Sequence, residues 1–373
     1  MELCDGRAMN RSRKRVSAGP QSVRWSRATI VVAGFVAIVA TANTSQADEG
    51  GVSFWLPGIY GSLAAAPQQP GWSFAAINYF DSVSASGSIA AAREVTVGRF
   101  NPAVNVNLNV NVNANLDLEL LNPSYVFTTP VFGGQLAVGL MGIVGRNTTG
   151  LNGTITAGVG PFTVTRAGSI SDTTISFGDL YPQMSLRWNS GVNNFMIYGT
   201  GDIPVGEYSS AQLANLGIGH GAADGGIGYT YFDPTKGHEL SFVTGLTYNL
   251  TNPSTNYQNG IDWHLDWGAS QFLSKQFFVG AVGYFYEQLT ADSGSAPILG
   301  PIESRVGGVG PQLGFIFPMG PTQMFLGLKA YSEFDGHDRP SGYSGWVTVA
   351  FSPSGAPPPQ TQSPPIVTKA GTQ

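Results

Sequence analysis

One stretch constrains the fold of this chain more than any other: Asn105–Glu119, which reads NVNLNVNVNANLDLE. Asn, Asp or Glu stands at every odd position, and Val, Leu or Ala stands at every even position. Successive side chains of a β-strand point to opposite faces, so this period of two predicts one polar and one apolar face. About fifteen residues is long for a strand of a soluble sheet and suits a tilted strand that crosses a bilayer and projects beyond it. We therefore predict a membrane barrel, with the Asn face lining an aqueous interior and the Val/Leu face meeting lipid.

The composition agrees with an all-β, antiparallel transmembrane barrel. Only 11% of the 373 residues are charged, 50 are Gly, and the mean hydropathy is +0.02. A soluble domain is about a quarter charged, whereas a bundle of membrane helices needs several apolar runs of about 20 residues. Alternation, rather than bulk hydrophobicity, marks barrel strands. Composition alone leaves open a secreted, soluble β-protein.

Residues 1–47 have the features of a cleaved secretory signal peptide. Seven basic residues precede the apolar run Ala28–Ala40, and a small-residue exit ends at Ala47. A retained membrane anchor is the alternative. The leader carries seven of the 18 basic and two of the 23 acidic residues, so its removal leaves a net charge of about −10. This acidic balance argues against nucleic-acid binding, which requires a basic face.

Neither a cofactor nor a metal site is expected. The only cysteine, Cys4, lies in the leader, and no two of the four histidines are spaced as ligands on one helix face. His264 with Asp262 and Asp266 is the one cluster that suggests catalysis, but no Ser-centred motif accompanies it. We predict that the protein is not an enzyme.

Strand-like runs recur through residues 71–352 and predict a barrel of about twelve strands, although ten or fourteen remain compatible with the pattern. Residues 48–70 are broken by Gly and Pro and are predicted to be a periplasmic lead-in, or a segment tucked into the barrel mouth. Asn147–Ser169 is predicted to be a loop. Residues 353–373 are predicted to be a disordered, Pro-rich tail.

Several runs repeat the two-faced pattern. Apolar side chains at 240, 242, 246, 248 and 250 alternate with polar ones between Glu239 and Asn249, and DWHLDW separates its acids and His264 from its tryptophans. Aromatic residues near predicted strand ends would form an interfacial girdle. These are Trp188, Tyr248, Trp263, Trp267 and Trp346.

Charged and aromatic side chains on the polar faces are the predicted lumen and solute contacts, because they combine hydrogen bonding with π-faces for an aromatic solute. They are Asp117, Glu119, Asp179, Arg187, Asp262, His264, Asp266, Lys329, Tyr331 and Glu333. The acidic balance predicts a preference for neutral or cationic solutes.

Five blocks of the chain resemble one known family. They read SFWLPGIYGSLAAAPQQPGW, NLDLELLNPSYVFTTP, FGDLYPQMSLRW, GGIGYTYFDPTKGHELSFVTGLTYNLTNPSTNYQNG and VGGVGPQLGFIFPMG. Their order resembles that of the transporter-like outer-membrane proteins associated with the meta-pathway of phenol degradation, over about Gly50–Pro353. The resemblance implies a bacterial outer-membrane barrel that takes up small hydrophobic or aromatic compounds. Its partners would be outer-membrane lipid, the barrel assembly machinery and those solutes. A structural or adhesive barrel that transports nothing is the alternative.

Overall fold

The computed structural model describes residues 53–86, 106–159, 162–294, 304–337 and 339–354. The predicted signal peptide and most of the predicted tail lie outside these residues. Twelve of the described strands form a closed antiparallel barrel, in which each strand pairs with its neighbours along the chain and the last strand pairs with the first. Two short strands, β8 and β11, pair separately. The strands are β1 Gly71–Ser86, β2 Val106–Val126, β3 Gln135–Val159, β4 Phe162–Ser190, β5 Asn193–Asp202, β6 Ala222–Asp233, β7 His238–Asn249, β8 Tyr257–Gln258, β9 Ile261–Ser274, β10 Phe277–Gln288, β11 Ser293–Gly294, β12 Arg305–Met319, β13 Thr322–His337 and β14 Ser341–Pro353.

The prediction of a twelve-stranded barrel is confirmed. The turns after β4, β6, β9 and β12 lie at one end of the barrel, which we call the turn end, and the longest connections lie at the other end, which we call the loop end. Gly191 and Gly320 adopt φ of +66° and +70° in two of the short turns, a conformation in which a residue with a Cβ is strained. No helix long and apolar enough to cross a membrane occurs among the described residues.

The prediction of a loop over Asn147–Ser169 is wrong. β3 and β4 continue through it in unbroken register and pair as far as Val159 and Phe162. Together with the ends of β1 and β2 they form what we call the extension, residues 82–86, 106–115, 148–159 and 162–173. A polar composition is compatible with a strand wherever both sheet faces can be solvated or packed on other polar groups, and β-branched Thr favours strands.

On β7 the alternation has the predicted direction. Leu246 and Tyr248 are 50% and 51% exposed on the outer face, whereas Ser241 and Thr247 are 0% exposed and Glu239 is 4% exposed on the inner face. A charge on the lipid face at the bilayer midplane would cost about 2–4 kcal/mol, so the charged side chain points inward.

On β2 the direction is opposite, and the prediction that its Asn face lines the interior is wrong. Val112 and Leu120 are at most 1% exposed and point inward, whereas Asn113, Asn115 and Asp117 are exposed on the outer face. In the extension, the outer face meets water instead of lipid, so amide side chains are favoured there. The even-numbered side chains from Val112 to Leu120 point inward, and Leu118 and Leu120 pack in the central apolar cluster.

The outer face changes character at the level of Asp117. Its cross-strand neighbour Phe80 is 45% exposed. Ile175 on β4 lies at the same level and Phe177 lies nearer the turn end, and both are more than 70% exposed. One pair further toward the loop end, Asn115 lies beside Ser82 and Thr148. The apolar band therefore ends where the extension begins. Trp346, predicted to lie in the aromatic girdle, is instead 2% exposed and points inward, where its ring lies 4.3 Å from that of Tyr79.

Candidate functional site

The segment Ser53–Pro70, which we call the plug, lies inside the barrel. Phe54 and Trp55 are buried in the central apolar cluster. The Trp55 ring stacks on the His264 ring at a centroid distance of 3.5 Å, and Phe54 stacks on Tyr181 at 5.3 Å. The sequence allowed either a periplasmic lead-in or a segment tucked into the barrel mouth. The contacts of Phe54 and Trp55 are those of a segment within the barrel.

Two glycines permit the close approach of the plug to the wall. Gly58 adopts φ of +84°, and a Cβ there would lie 2.8 Å from the Tyr331 ring. Gly268 on β9 lies against the plug backbone, so that a Cβ would lie 2.7 Å from the Ser62 nitrogen. Glycine at these two positions therefore lets the plug and the barrel wall approach more closely than a residue with a Cβ would permit.

Asp266 binds backbone N–H groups of the plug, and Lys329 binds backbone carbonyl groups of the same residues. The two Asp266 carboxylate oxygens accept hydrogen bonds from the Gly58 and Tyr60 nitrogens at 2.9 and 3.0 Å. The Lys329 ammonium donates to the carbonyl oxygens of Gly58, Ile59 and Tyr60, the last two at 3.0 and 3.4 Å. We call this pair of charged residues the latch, because together they satisfy backbone N–H and C=O groups of the plug between Gly58 and Tyr60.

Glu239 anchors the next part of the plug. Its carboxylate accepts hydrogen bonds from the Ser62 hydroxyl and from the Leu63 nitrogen, the latter at 2.9 Å. The Ser62 hydroxyl also lies 2.7 Å from that of Ser270 on β9. Glu239 was placed on the polar face of its strand by the alternation, but nothing in the sequence marks it as a plug contact.

Two of the other predicted residues also contact the plug. The Arg187 guanidinium donates to the Gln68 side chain and to the Ala64 carbonyl oxygen at 3.4 and 3.5 Å. The Tyr331 hydroxyl donates to the Gly58 carbonyl oxygen at 3.2 Å. Part of the polar inner face of this barrel therefore holds a segment of its own chain.

His264 and Asp262 belong to a buried network in the wall. The His264 Nε2 atom lies 2.9 Å from Asp224 Oδ2 and 3.3 Å from the Tyr198 hydroxyl. Asp262 accepts a 2.8 Å hydrogen bond from the Asn249 amide. Asn249, Asp224 and Tyr198 lie on β7, β6 and β5, which follow β9 in that order around the barrel, so the network ties four strands of the wall together behind the ring of Trp55.

Asp179 and Glu333 hold backbone segments at the loop end. Asp179 accepts hydrogen bonds from the Gly206 and Ile218 nitrogens at 2.7 and 2.8 Å, and so fixes the connection between β5 and β6. Glu333 accepts from the Tyr284 hydroxyl at 2.6 Å and from the Gly342 nitrogen at 2.7 Å.

The predicted lumen positions of Asp117 and Glu119 are wrong. Both side chains are on the outer face of β2, where Asp117 is exposed and Glu119 accepts a 3.2 Å hydrogen bond from Asn78. The error follows from the reversed direction of β2. The described residues contain no group of three or more His, Cys, Asp or Glu side chains that could hold a metal ion.

Two cavities lie beside the plug. The turn-side cavity has a volume of about 210 Å³ and lies between the plug and strands β2–β5, next to Gln68 and Arg187. The loop-side cavity has a volume of about 110 Å³ and lies between the plug, the apolar inner face of β2 and the connection between β5 and β6. Trp55, Leu56 and Tyr181 line both cavities and therefore form the partition between them.

Comparison with protein families and with solved structures shows which known proteins this barrel resembles. The family model described as "Putative MetA-pathway of phenol degradation" matches residues 92–349. Among solved structures, the COG4313 outer membrane channel from Pseudomonas putida F1 is similar, with a TM-score of 0.53 and 11% identity over 80% of this chain and 98% of that chain. A Pseudomonas aeruginosa FadL homologue matches with a TM-score of 0.35 and 11% identity over 84% of this chain and 98% of that chain. Among curated proteins no significant sequence match was found.

These findings agree with the resemblance seen in the sequence. The closed barrel, its exposed apolar band and its likeness to an outer-membrane channel place the protein in the bacterial outer membrane. The family match extends over more than half of the chain, so the protein belongs to the family described as "Putative MetA-pathway of phenol degradation".

Proposed function

We propose that the protein is an outer-membrane channel that takes up small hydrophobic or aromatic compounds, and that it is not an enzyme. The observation that carries this proposal is the loop-side cavity, which lies between the plug and the apolar inner face of β2. Side chains such as Leu116, Leu118 and Ile143 line it together with aromatic rings. Small-molecule sites are typically concave and mostly apolar, with a few placed polar groups.

Passage along the barrel axis requires the plug to move, because the plug fills the space between the two cavities. The latch and Glu239 hold it by hydrogen bonds rather than by strand pairing. Such contacts can be exchanged for water one at a time, which makes displacement of the plug easier than opening of the wall.

A cysteine pair can test this function. The Ser62 and Ser270 hydroxyls lie 2.7 Å apart, and the only native cysteine is Cys4, so Ser62→Cys with Ser270→Cys should join plug and wall by one disulfide. In cells that lack the gene, the wild type should restore uptake of radiolabelled ethylbenzene. The oxidised double variant should fail to do so, and reductant should rescue it.

The controls separate the outcomes. Each single Cys variant should transport normally under both redox conditions. Uptake that persists with the disulfide formed would contradict plug displacement. Uptake equal to that of the deletion strain with wild-type protein present would favour a structural or adhesive barrel, for which the exposed Asn113 and Asn115 on the outer face of the extension offer a surface.

A further inference from the structure

The turn-side cavity is lined by one buried positive charge and by no negative charge. Arg187 on β4 is 8% exposed and lines this cavity. No Asp or Glu is among the described residues that line it, and Arg187 forms no ion pair with a described carboxylate. Buried charges are normally paired, because a charge taken out of water loses its solvation. An anion is therefore the partner that the cavity lacks.

The contacts that Arg187 makes with the protein leave its charge uncompensated. Its guanidinium donates to the Ser185 hydroxyl, and to the Gln68 side-chain oxygen and the Ala64 carbonyl oxygen at 3.4 and 3.5 Å. The last two distances exceed the usual range of about 2.7–3.2 Å for such hydrogen bonds. All three acceptors are neutral, so they supply dipoles but no opposite charge.

Lys329, another buried cation that contacts the plug, has a different environment. It and Asp266 bind the backbone of the same two plug residues, Gly58 and Tyr60, so a negative charge lies on the far side of one short stretch of chain. Among the described residues Arg187 has no such counterpart. The difference shows that the missing anion is a property of the turn-side cavity and not of the barrel interior in general.

Neutral hydrogen-bonding groups surround Arg187 on the wall of the cavity. Asn122, Ser124, Gln183 and Thr200 line it on strands β2, β4 and β5. The Gln183 amide nitrogen donates to the thioether of Met141 at 3.9 Å, which is a weak acceptor. A carboxylate offers stronger acceptors to this amide and to the guanidinium, and the two parallel N–H groups of a guanidinium match its two oxygens.

The plug side of the cavity defines the rest of the ligand. Phe54, Trp55 and Leu56 line it together with Met141 and Tyr181 of the wall, so this side is apolar. The volume is about 210 Å³, and a cavity of about 150 Å³ accepts benzene in another protein. A hydrocarbon part of about six or seven carbons therefore fits, whereas a long acyl chain does not.

We propose that the turn-side cavity binds a small monocarboxylate, whose carboxylate pairs with Arg187 and whose compact hydrocarbon part packs against the apolar side of the plug. The overall acidic balance of the chain predicts a preference for neutral or cationic solutes, and the charge at this site is of the opposite sign. The inference goes beyond the proposed uptake of hydrophobic compounds, because a carboxylate can occupy this cavity whether or not it passes through the barrel.

A charged ligand and its neutral isostere test the assignment. Binding of cyclohexanecarboxylate and of cyclohexanecarboxamide to the purified full-length protein would be measured at neutral pH by equilibrium dialysis, with the same nonionic detergent concentration in both chambers. The wild type should bind the carboxylate at least about tenfold more tightly, the factor expected of one hydrogen bond between charged groups. Arg187→Met, which keeps most of the aliphatic chain and removes the charge, should abolish this preference. Arg187→Gln is also neutral and should abolish it too, so one unfolded variant does not end the test.

Lys236→Met is the control for net charge, because it removes one positive charge at an exposed turn. It should keep the full preference. The preference is a ratio of two affinities within one variant, so a plug that is held less tightly changes both affinities and leaves the ratio unchanged. Heat-dependent gel mobility would verify that each variant is folded.

Four results would each overturn the inference. They are a preference that survives in a folded neutral variant of Arg187, a preference lost in Lys236→Met, equal or absent binding of the two ligands by the wild type, and tighter binding of cyclohexylmethylammonium than of the carboxylate. Uptake of ethylbenzene tests the proposed function separately and is not expected to change with any of these results.

Discussion

Strands β2 and β7 carry the same period-two alternation but present it in opposite directions. On β7 the apolar side chains face lipid and the polar ones face the barrel interior. On β2 the apolar side chains are buried in the interior, and the asparagines are exposed on the outside. The comparison shows that alternation defines two faces of a strand without defining which one is inside. The surroundings of each face decide that, namely lipid outside β7 and water outside the extension.

The largest loss of stability should come from truncating a buried side chain of β2. Leu120 is 0% exposed and packs in the central cluster, so Leu120→Ala should lower the free energy of unfolding by about 2–5 kcal/mol through the cavity that it leaves. Leu246→Ala on the outer face of β7 should cost less than about 1 kcal/mol, since lipid is as apolar as the side chain removed. Urea unfolding in lipid vesicles measures both. Equal losses would mean that the two strands face the same way.

Charge placed on the two outer faces gives the next largest effect. Leu246→Arg should cost about 2–4 kcal/mol because the charge enters the lipid-facing band. Asn113→Arg should change stability by less than about 0.5 kcal/mol, since that side chain is exposed beyond the apolar band. The same unfolding measurement applies. A large penalty at Asn113 would place the extension within the bilayer.

A smaller effect is expected from the polar inner face that holds the plug. Lys329→Met keeps most of the aliphatic chain but removes a donor to three plug carbonyl oxygens, so the plug should be held less tightly by about 1–3 kcal/mol. Cleavage within the plug by an added protease should become faster, and single-channel openings more frequent. Lys236→Met, at an exposed turn, is the control. Unchanged cleavage would show that the latch contributes nothing.

The smallest change in stability is expected from substitution of Asp117. Asp117→Cys should alter stability by less than about 0.5 kcal/mol and should react readily with a membrane-impermeant maleimide on intact cells, because the side chain is exposed on the outer face. Leu118→Cys, one residue further and buried, should react several-fold more slowly in the folded protein. The reverse order of rates would restore the original prediction that the odd positions face the interior.

Much of the barrel could be predicted from local sequence. Turn residues such as Gly191 and Gly320 mark the short connections, and long alternating runs mark the strands between them. The error at Asn147–Ser169 has a physical cause. Gly- and Thr-rich polar sequence is usual in loops, and only pairing with β2 and with each other makes these residues strands.

The plug contacts could not be predicted in this way. Asp266 and Lys329 were selected as polar inner-face residues, and the structure places both inside, but their partners are plug backbone atoms more than 200 positions away in sequence. Every residue has the same backbone groups, so no pattern of residue types predicts which of them a distant side chain will bind. The solute roles of the ten selected residues remain predictions, except that Asp117 and Glu119 point outward.

The sequence by itself determined that this chain forms an antiparallel membrane barrel of about twelve strands, because period-two alternation and turn chemistry are local properties. Only the tertiary structure decided which face of β2 is inside, that Ser53–Pro70 lies within the barrel, and that Arg187 lines a cavity. Each of these depends on what lies opposite a side chain once the barrel has closed, and closure brings together residues that are far apart in the chain.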